Sequence, residues 1–157
     1  MAKKRLSAGW IILIVVAVIF IGIQFFGINR SVPQTDSSKD FMSIASPPQE
    51  IQALIHEACY DCHSFETQYP WYSYIQPVSW FLQGHIDEAR EHMNFSEWAK
   101  YSIDTRKEKM EHASKMVSNR KMPLWSFRIE HPEARLTDQE IKTLANWFDQ
   151  RRERLSD

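Results

Sequence analysis

The only two cysteines of the 157-residue chain stand in Cys59-Tyr60-Asp61-Cys62-His63. C-x-x-C-H is the pattern through which c-type haem is attached, and its spacing has a physical reason. At the end of a helix, positions 59 and 62 project to one side, so each thiol can add to one haem vinyl group. Position 63 completes that face and offers an imidazole to iron. Tyr60 and Asp61 are expected to point elsewhere and to be replaceable.

Other chemistries use paired cysteines. A structural disulfide is permitted in an oxidising compartment, but so short a loop would stabilise a domain little. A thioredoxin-like redox pair belongs in a βαβ context, for which no period-two alternation is visible. A zinc site wants four ligands and would have to recruit scattered histidines to two cysteines. Haem attachment is the most specific of the four readings.

A haem iron engaged in electron transfer takes a second axial ligand, and a methionine thioether is the familiar choice. Met122 is the candidate. It lies in Lys121-Met122-Pro123-Leu124-Trp125, where the proline holds the methionine's backbone out of helical geometry. Met93, Met110 and Met116 fall in helical stretches where core packing is the simpler role. His56, His85, His92, His112 and His131 are read as surface or supporting residues. The His63 nitrogen that does not face iron needs an acceptor, expected from the loop 69–77. Aromatic residues crowd that loop, and Trp71, Tyr72 and Arg90 are candidate contacts for haem propionates, with ordinary core packing as the alternative for the aromatics.

These side chains must be positioned by helices. Ser46 with Pro47-Pro48 suits a helix start, and Ile51, Leu54, Ile55 and Ala58 repeat on one face toward Cys59. Val78, Leu82, Ile86, Ala89 and Met93 draw a second stripe, with Pro77 before it. Asn94…Glu97, Thr105…Glu108 and Thr137…Glu140 each have capping-box spacing and predict three further helix starts. The last leads into Ile141, Leu144, Ala145 and Phe148 and ends in Arg151, Arg152 and Arg154, which suit a helix C-terminus. The fold class expected is all-α, with loops at about 64–76 and 121–136.

The N-terminal thirty residues differ from the rest. Trp10 to Ile28 is apolar apart from Gln24 and its glycines and follows Lys3, Lys4 and Arg5. That pattern predicts a transmembrane helix with a cytoplasmic N-terminus and an exported main domain. A cleaved signal peptide is the competing reading, disfavoured by the lack of a small-x-small site near residues 25–30. The expected order is a basic N-terminus at 1–9, an anchor at 10–28, a linker at 29–48 and a haem-binding domain at 49–157. The corresponding location is a bacterial inner membrane, single-pass, with the domain in the periplasm. After Arg30 there are 15 basic and 20 acidic side chains, because Lys3, Lys4, Arg5 and Arg30 are the only charged residues before Ser31. A net charge of -5 over that stretch excludes nucleic acid as an expected partner.

The motifs together resemble the haem-binding domain family of small bacterial proteins related to cytochrome c. The resemblance rests on Cys59-Tyr-Asp-Cys-His63, Tyr69-Pro-Trp-Tyr-Ser73, Pro77-Val-Ser-Trp80, His85-Ile-Asp-Glu-Ala-Arg90, Asn94-Phe-Ser-Glu-Trp98, Met122-Pro-Leu-Trp125 and His131-Pro-Glu-Ala-Arg-Leu136. It implies a cytochrome c-like helical fold around one covalent haem c. It also implies thioethers at Cys59 and Cys62, His63 as proximal ligand and Met122 as the distal one.

Three functions follow from such a site. A six-coordinate His/Met haem leaves iron no vacant position and suits one-electron transfer with redox partner proteins, which a membrane tether would keep close. A haem-based sensor or small-ligand binder would need Met122 to leave the iron. A peroxidase-type enzyme would need an open distal site with an acid/base group beside it, for which no spacing argument exists. The carrier is expected, and catalysis is not.

Overall fold

The computed structural model describes residues 7–155, so Lys3, Lys4 and Arg5 lie outside the described residues. Every regular element among those described is helical, as the periodicities predict. The chain divides into two compact units. One comprises the residues up to Ser31 with Tyr69–His85, and the other comprises Val32–Gln68 with Ile86–Asp157.

The first unit contains α1, Ala8–Ile23, whose 16 residues carry almost entirely exposed apolar side chains. At 1.5 Å per residue this helix covers about 24 Å, short of a bilayer core of roughly 30 Å. Among the described residues no helix is long and apolar enough to cross a membrane. The expected anchor at 10–28, and with it the single-pass inner-membrane placement of the chain, is thereby overturned. The reason lies at Gln24, where the apolar run continues but the helix does not. Its side-chain amide donates to the Gln76 carbonyl at 3.1 Å, and its Oε1 accepts from the Gln76 N–H at 3.1 Å. The Phe26 carbonyl then accepts from Gln76 Nε2 at 3.2 Å and from Trp80 Nε1 at 2.8 Å. Hydropathy counts apolar residues but does not register a distant amide that captures the chain at position 24.

The second unit holds the aromatic core. Its first helix, α2 (Phe41–Ala45), lies in the stretch expected as a linker, preceded by a 3-10 turn at Ser37–Lys39. Phe41 is wholly buried, with its ring centroid 4.8 Å from both Phe95 and Trp98. The tether expectation for 29–48 is therefore corrected across this segment. Phe41, Met42 and Ile44 are too apolar to remain in water when a core is available. Ser46 likewise does not cap the next helix but closes α2 in the left-handed region at φ 45°.

Helix α3 (Gln49–Ile55) follows Pro48, and its stripe of Ile51, Leu54 and Ile55 is buried as the spacing predicts. A π turn over His56–Tyr60 and a short α4, Asp61–His63, carry the helical path through the cysteines. Helix α5, Val78–His92, begins after Pro77 as expected, but only Ile86 and Ala89 of its predicted stripe are fully buried. Its N-terminal residues belong to the first unit, so one stripe does not serve one core.

Asn94 caps a 3-10 segment, Phe95–Lys100, by accepting from the Ser96 N–H. Helix α6 covers Ile103–Ser118 and starts at Ser102, whose hydroxyl accepts from the Thr105 N–H at 3.2 Å. Thr105 is therefore inside the helix, and its spacing to Glu108 is not a cap. A six-residue α7, Trp125–Glu130, and a 3-10 turn at Pro132–Ala134 occupy the expected loop at 121–136. The last helix, α8 (Asp138–Arg154), has the predicted capping box between Thr137 and Glu140. Its Leu144, Ala145 and Phe148 are buried, and it packs along α6, where Met110 and Val117 are buried. Ser114 on α6 donates to Asp149 Oδ2 on α8 at 2.9 Å across that contact.

Candidate functional site

The Cys59–His63 segment is the end of a helical path that is widened just before it is used. The π turn His56–Tyr60 inserts the wider i→i+5 hydrogen-bond pattern, a feature that recurs at functional positions in helices. At 3.6 residues per turn, positions 59, 62 and 63 lie within an arc of about 100° that excludes position 60. The π turn also packs against Pro132–Ala134, which carries part of the His131-Pro-Glu-Ala motif to this end of the unit.

Both cysteines are free thiols and half-buried, so they do not form the disulfide considered above. Burial pushes the Cys59 thiol up to about 12, with the nearby Cys62 adding to the shift. Burial likewise raises Cys62 to about 11, helped by Asp61 and opposed by Arg90. A catalytic redox pair needs a stabilised thiolate at neutral pH. This environment does the reverse and keeps two neutral thiols side by side. Among the described residues no three His, Cys, Asp or Glu side chains gather as a metal site, which leaves the zinc reading without its ligand set.

His63 is the best-defined member. Its Nδ1 lies 3.0 Å from the Met93 carbonyl oxygen. A carbonyl can only accept, so the imidazole donates from Nδ1 and keeps the Nε2 lone pair available. Burial lowers its pKa, outweighing the carbonyls of Met93 and Ala89, while His92 and His112 add a smaller push the same way. The contact holds the ring in the tautomer that leaves Nε2 free to accept, and burial favours the neutral form. The acceptor comes from the end of α5, not from the loop 69–77 expected to supply it.

Tyr60 and Asp61 do not fit the expectation that they are replaceable. Tyr60 is buried, stacks on Phe95 with ring centroids 5.1 Å apart, and donates its hydroxyl to Asp40 Oδ1 at 2.8 Å. Burial raises its pKa and the Asp40 hydrogen bond adds to that, so the hydroxyl remains a donor. Asp61 Oδ1 accepts from the Gln68 N–H at 3.0 Å. Ser64, which follows His63, donates from its hydroxyl to the Tyr60 carbonyl at 2.8 Å.

Arg90, expected at a propionate, has donors engaged within the protein. Its Nε donates to the Ser64 carbonyl and one terminal nitrogen donates to Thr67 Oγ1, both at 2.9 Å, and the guanidinium lies over the Phe65 ring. It fastens the chain leaving His63 to α5.

Met122 lies outside any helix, between α6 and α7, and is half-buried. Its N–H donates to the Met116 carbonyl at 3.2 Å. Trp71 and Tyr72 belong to the first unit. They form a short 3-10 turn in which their rings meet edge to face at 5.8 Å, with Trp71 exposed. Asp40 is the member of this neighbourhood that sequence reasoning missed. It sits twenty residues before Tyr60 in a stretch resembling a tether, and only its cap position before Phe41-Met42 could have hinted at a structured role.

An all-helical unit that presents two neutral thiols and a neutral, oriented imidazole from one helix end has the features expected of a haem-binding module. The chain belongs to the haem-binding domain family, which matches residues 18–150. No curated protein and no solved structure matches it.

Proposed function

We propose that this haem-binding protein carries one covalently attached haem c and serves as a one-electron carrier rather than a catalyst. In this reading Cys59 and Cys62 hold the porphyrin through thioethers, His63 binds the iron through Nε2, and Met122 is the second axial ligand. The bound haem would supply a reversible one-electron couple. The observation that carries the reading is the His63 geometry. A neutral ring, fixed by donation to the Met93 carbonyl, stands one position after a pair of unpaired, protonated thiols.

The chain's own residues perform the preparatory work. The Met93 carbonyl fixes the imidazole tautomer and increases its basicity toward a metal. Burial keeps the thiols protonated, so each brings the hydrogen that addition to a vinyl group requires. Arg90, Ser64 and Tyr60 hold the turn that presents these groups. Electron exchange needs no substrate site, and with both axial positions filled the module would pass electrons to protein partners.

Expression of the full chain in cells with a functioning haem-attachment pathway tests this reading. A haem-stained denaturing gel should show pigment on the polypeptide. A reduced-minus-oxidised spectrum should show a methionine-ligated signature that Met122→Ala abolishes. An unchanged spectrum in Met122→Ala would remove that residue from the account, and ready binding of carbon monoxide by the wild type would favour a ligand-binding role instead.

A further inference from the structure

We propose that Asp40 positions the cysteine pair and His63, acting through the Tyr60 hydroxyl. This rests on the reading of Cys59–His63 as the haem-attachment segment, but it concerns residues outside the C-x-x-C-H ligand set. Asp40 is buried, and its Oδ1 accepts both from the Met42 N–H at 2.7 Å and from the Tyr60 hydroxyl at 2.8 Å. The other oxygen, Oδ2, is buried with no hydrogen-bond partner among the described residues. Burying a carboxylate in this way is costly, and a helix cap alone does not require it, since an exposed cap performs the same task. The cost needs an explanation, and the contact with Tyr60 supplies one.

Tyr60 is the last residue of the π turn and stands between Cys59 and Cys62. His56 stacks on it at 5.4 Å and Phe95 at 5.1 Å, while the Ser64 hydroxyl holds its carbonyl. The rings resist tilting, but a stacked ring can still slide in its own plane. The Asp40 bond, with the Met42 backbone beside the same hydroxyl, fixes the outer end of the ring and so opposes the slide. Because the backbone of position 60 joins that of 59 and 61, fixing the ring fixes where the π turn ends. That in turn sets how Cys59 stands relative to Cys62 and His63. Asp40 is therefore a positioning residue, and it brings the segment before α3 into the construction of the site.

The test compares wild type with Asp40→Ala, Tyr60→Phe and Asp40→Asn. The asparagine retains an oxygen acceptor for both donors, so it should restore what the alanine loses. Intact mass after maturation with haem should show a several-fold fall in doubly attached product for Asp40→Ala and Tyr60→Phe, and near-wild-type loading for Asp40→Asn. A second readout needs no haem. Phenylarsine oxide must bridge both thiols at once, so its affinity for the reduced apoprotein should fall in Asp40→Ala and Tyr60→Phe and hold in Asp40→Asn. Tyr60→Phe keeps the ring packing, which guards against simple unfolding. Equal arsenical affinity in wild type and Tyr60→Phe would overturn the proposal. Should wild type take no haem while the arsenical series behaves as stated, the electron-carrier reading falls and the positioning role stands.

Discussion

The Cys59–His63 turn and the segment carrying Met122 are built in opposite ways. The turn is held from every side, with Asp40 on the Tyr60 hydroxyl, Phe95 against its ring, Ser64 on its carbonyl, Met93 on His63 and Arg90 on the residues that follow. Met122 lies in a short irregular stretch after α6, with its N–H bonded to Met116 and its side chain half-buried. A site assembled this way is organised on the side that must present three groups at once. On the proposed reading it remains adjustable on the side where Met122 would supply one flexible thioether. The difference teaches that, if the proposed ligand set holds, attachment and distal ligation should be separable by mutation.

The largest expected effect is on the organised side. Changing both Cys59 and Cys62 to alanine should leave a polypeptide whose denatured mass includes no haem, because no thioether can form. Phe41→Ala should be next, costing about 3–5 kcal/mol of stability in urea unfolding, since it removes a fully buried ring from the core. A cost near zero would restore the tether reading of residues 29–48 and detach the segment from the site.

The third prediction concerns pH. Both thiols start from an ordinary value of 9.0 and rise to about 12 and about 11 in the folded chain. Between these limits the folded apoprotein binds more protons than the unfolded one. Its stability should therefore be fully present below pH 9 and fall as pH rises toward 11 to 12. On the proposed reading the loaded protein would carry thioether sulfurs that do not titrate, so this part of the alkaline loss should vanish. Parallel alkaline unfolding curves of the apo and loaded forms would contradict the account. The smallest effect belongs to the adjustable side. Met122→Ala should cost about 1 kcal/mol or less and leave attachment intact while changing the spectrum of the loaded protein.

What could be read in the sequence depends on how far each feature reaches along the chain. The Thr137–Glu140 box and the Ile51, Leu54, Ile55 stripe are local patterns and were legible from spacing alone. The C-x-x-C-H segment was equally plain as a motif. Tyr60 reads as replaceable from sequence because its partner lies twenty residues away, and no local rule pairs a tyrosine with a helix-capping aspartate. Proximity in sequence points to the nearby loop for the His63 acceptor, which comes instead from position 93, thirty residues on. The apolar run at 10–28 predicted a longer helix than forms, because Gln24 binds the backbone of Gln76. Thr105 and Ser102 lie three residues apart with similar caps, and only the hydrogen bond from the Thr105 N–H to the Ser102 hydroxyl selects between them.

The most direct test of the central claim is the denatured intact mass, with absorption spectrum, of wild type and His63→Ala matured alongside a haem-attachment pathway. The account predicts polypeptide plus one haem for wild type, with a Soret band, and loss of the native axial-ligand spectrum in His63→Ala. A wild-type mass equal to the polypeptide alone, with no Soret absorption, would contradict it.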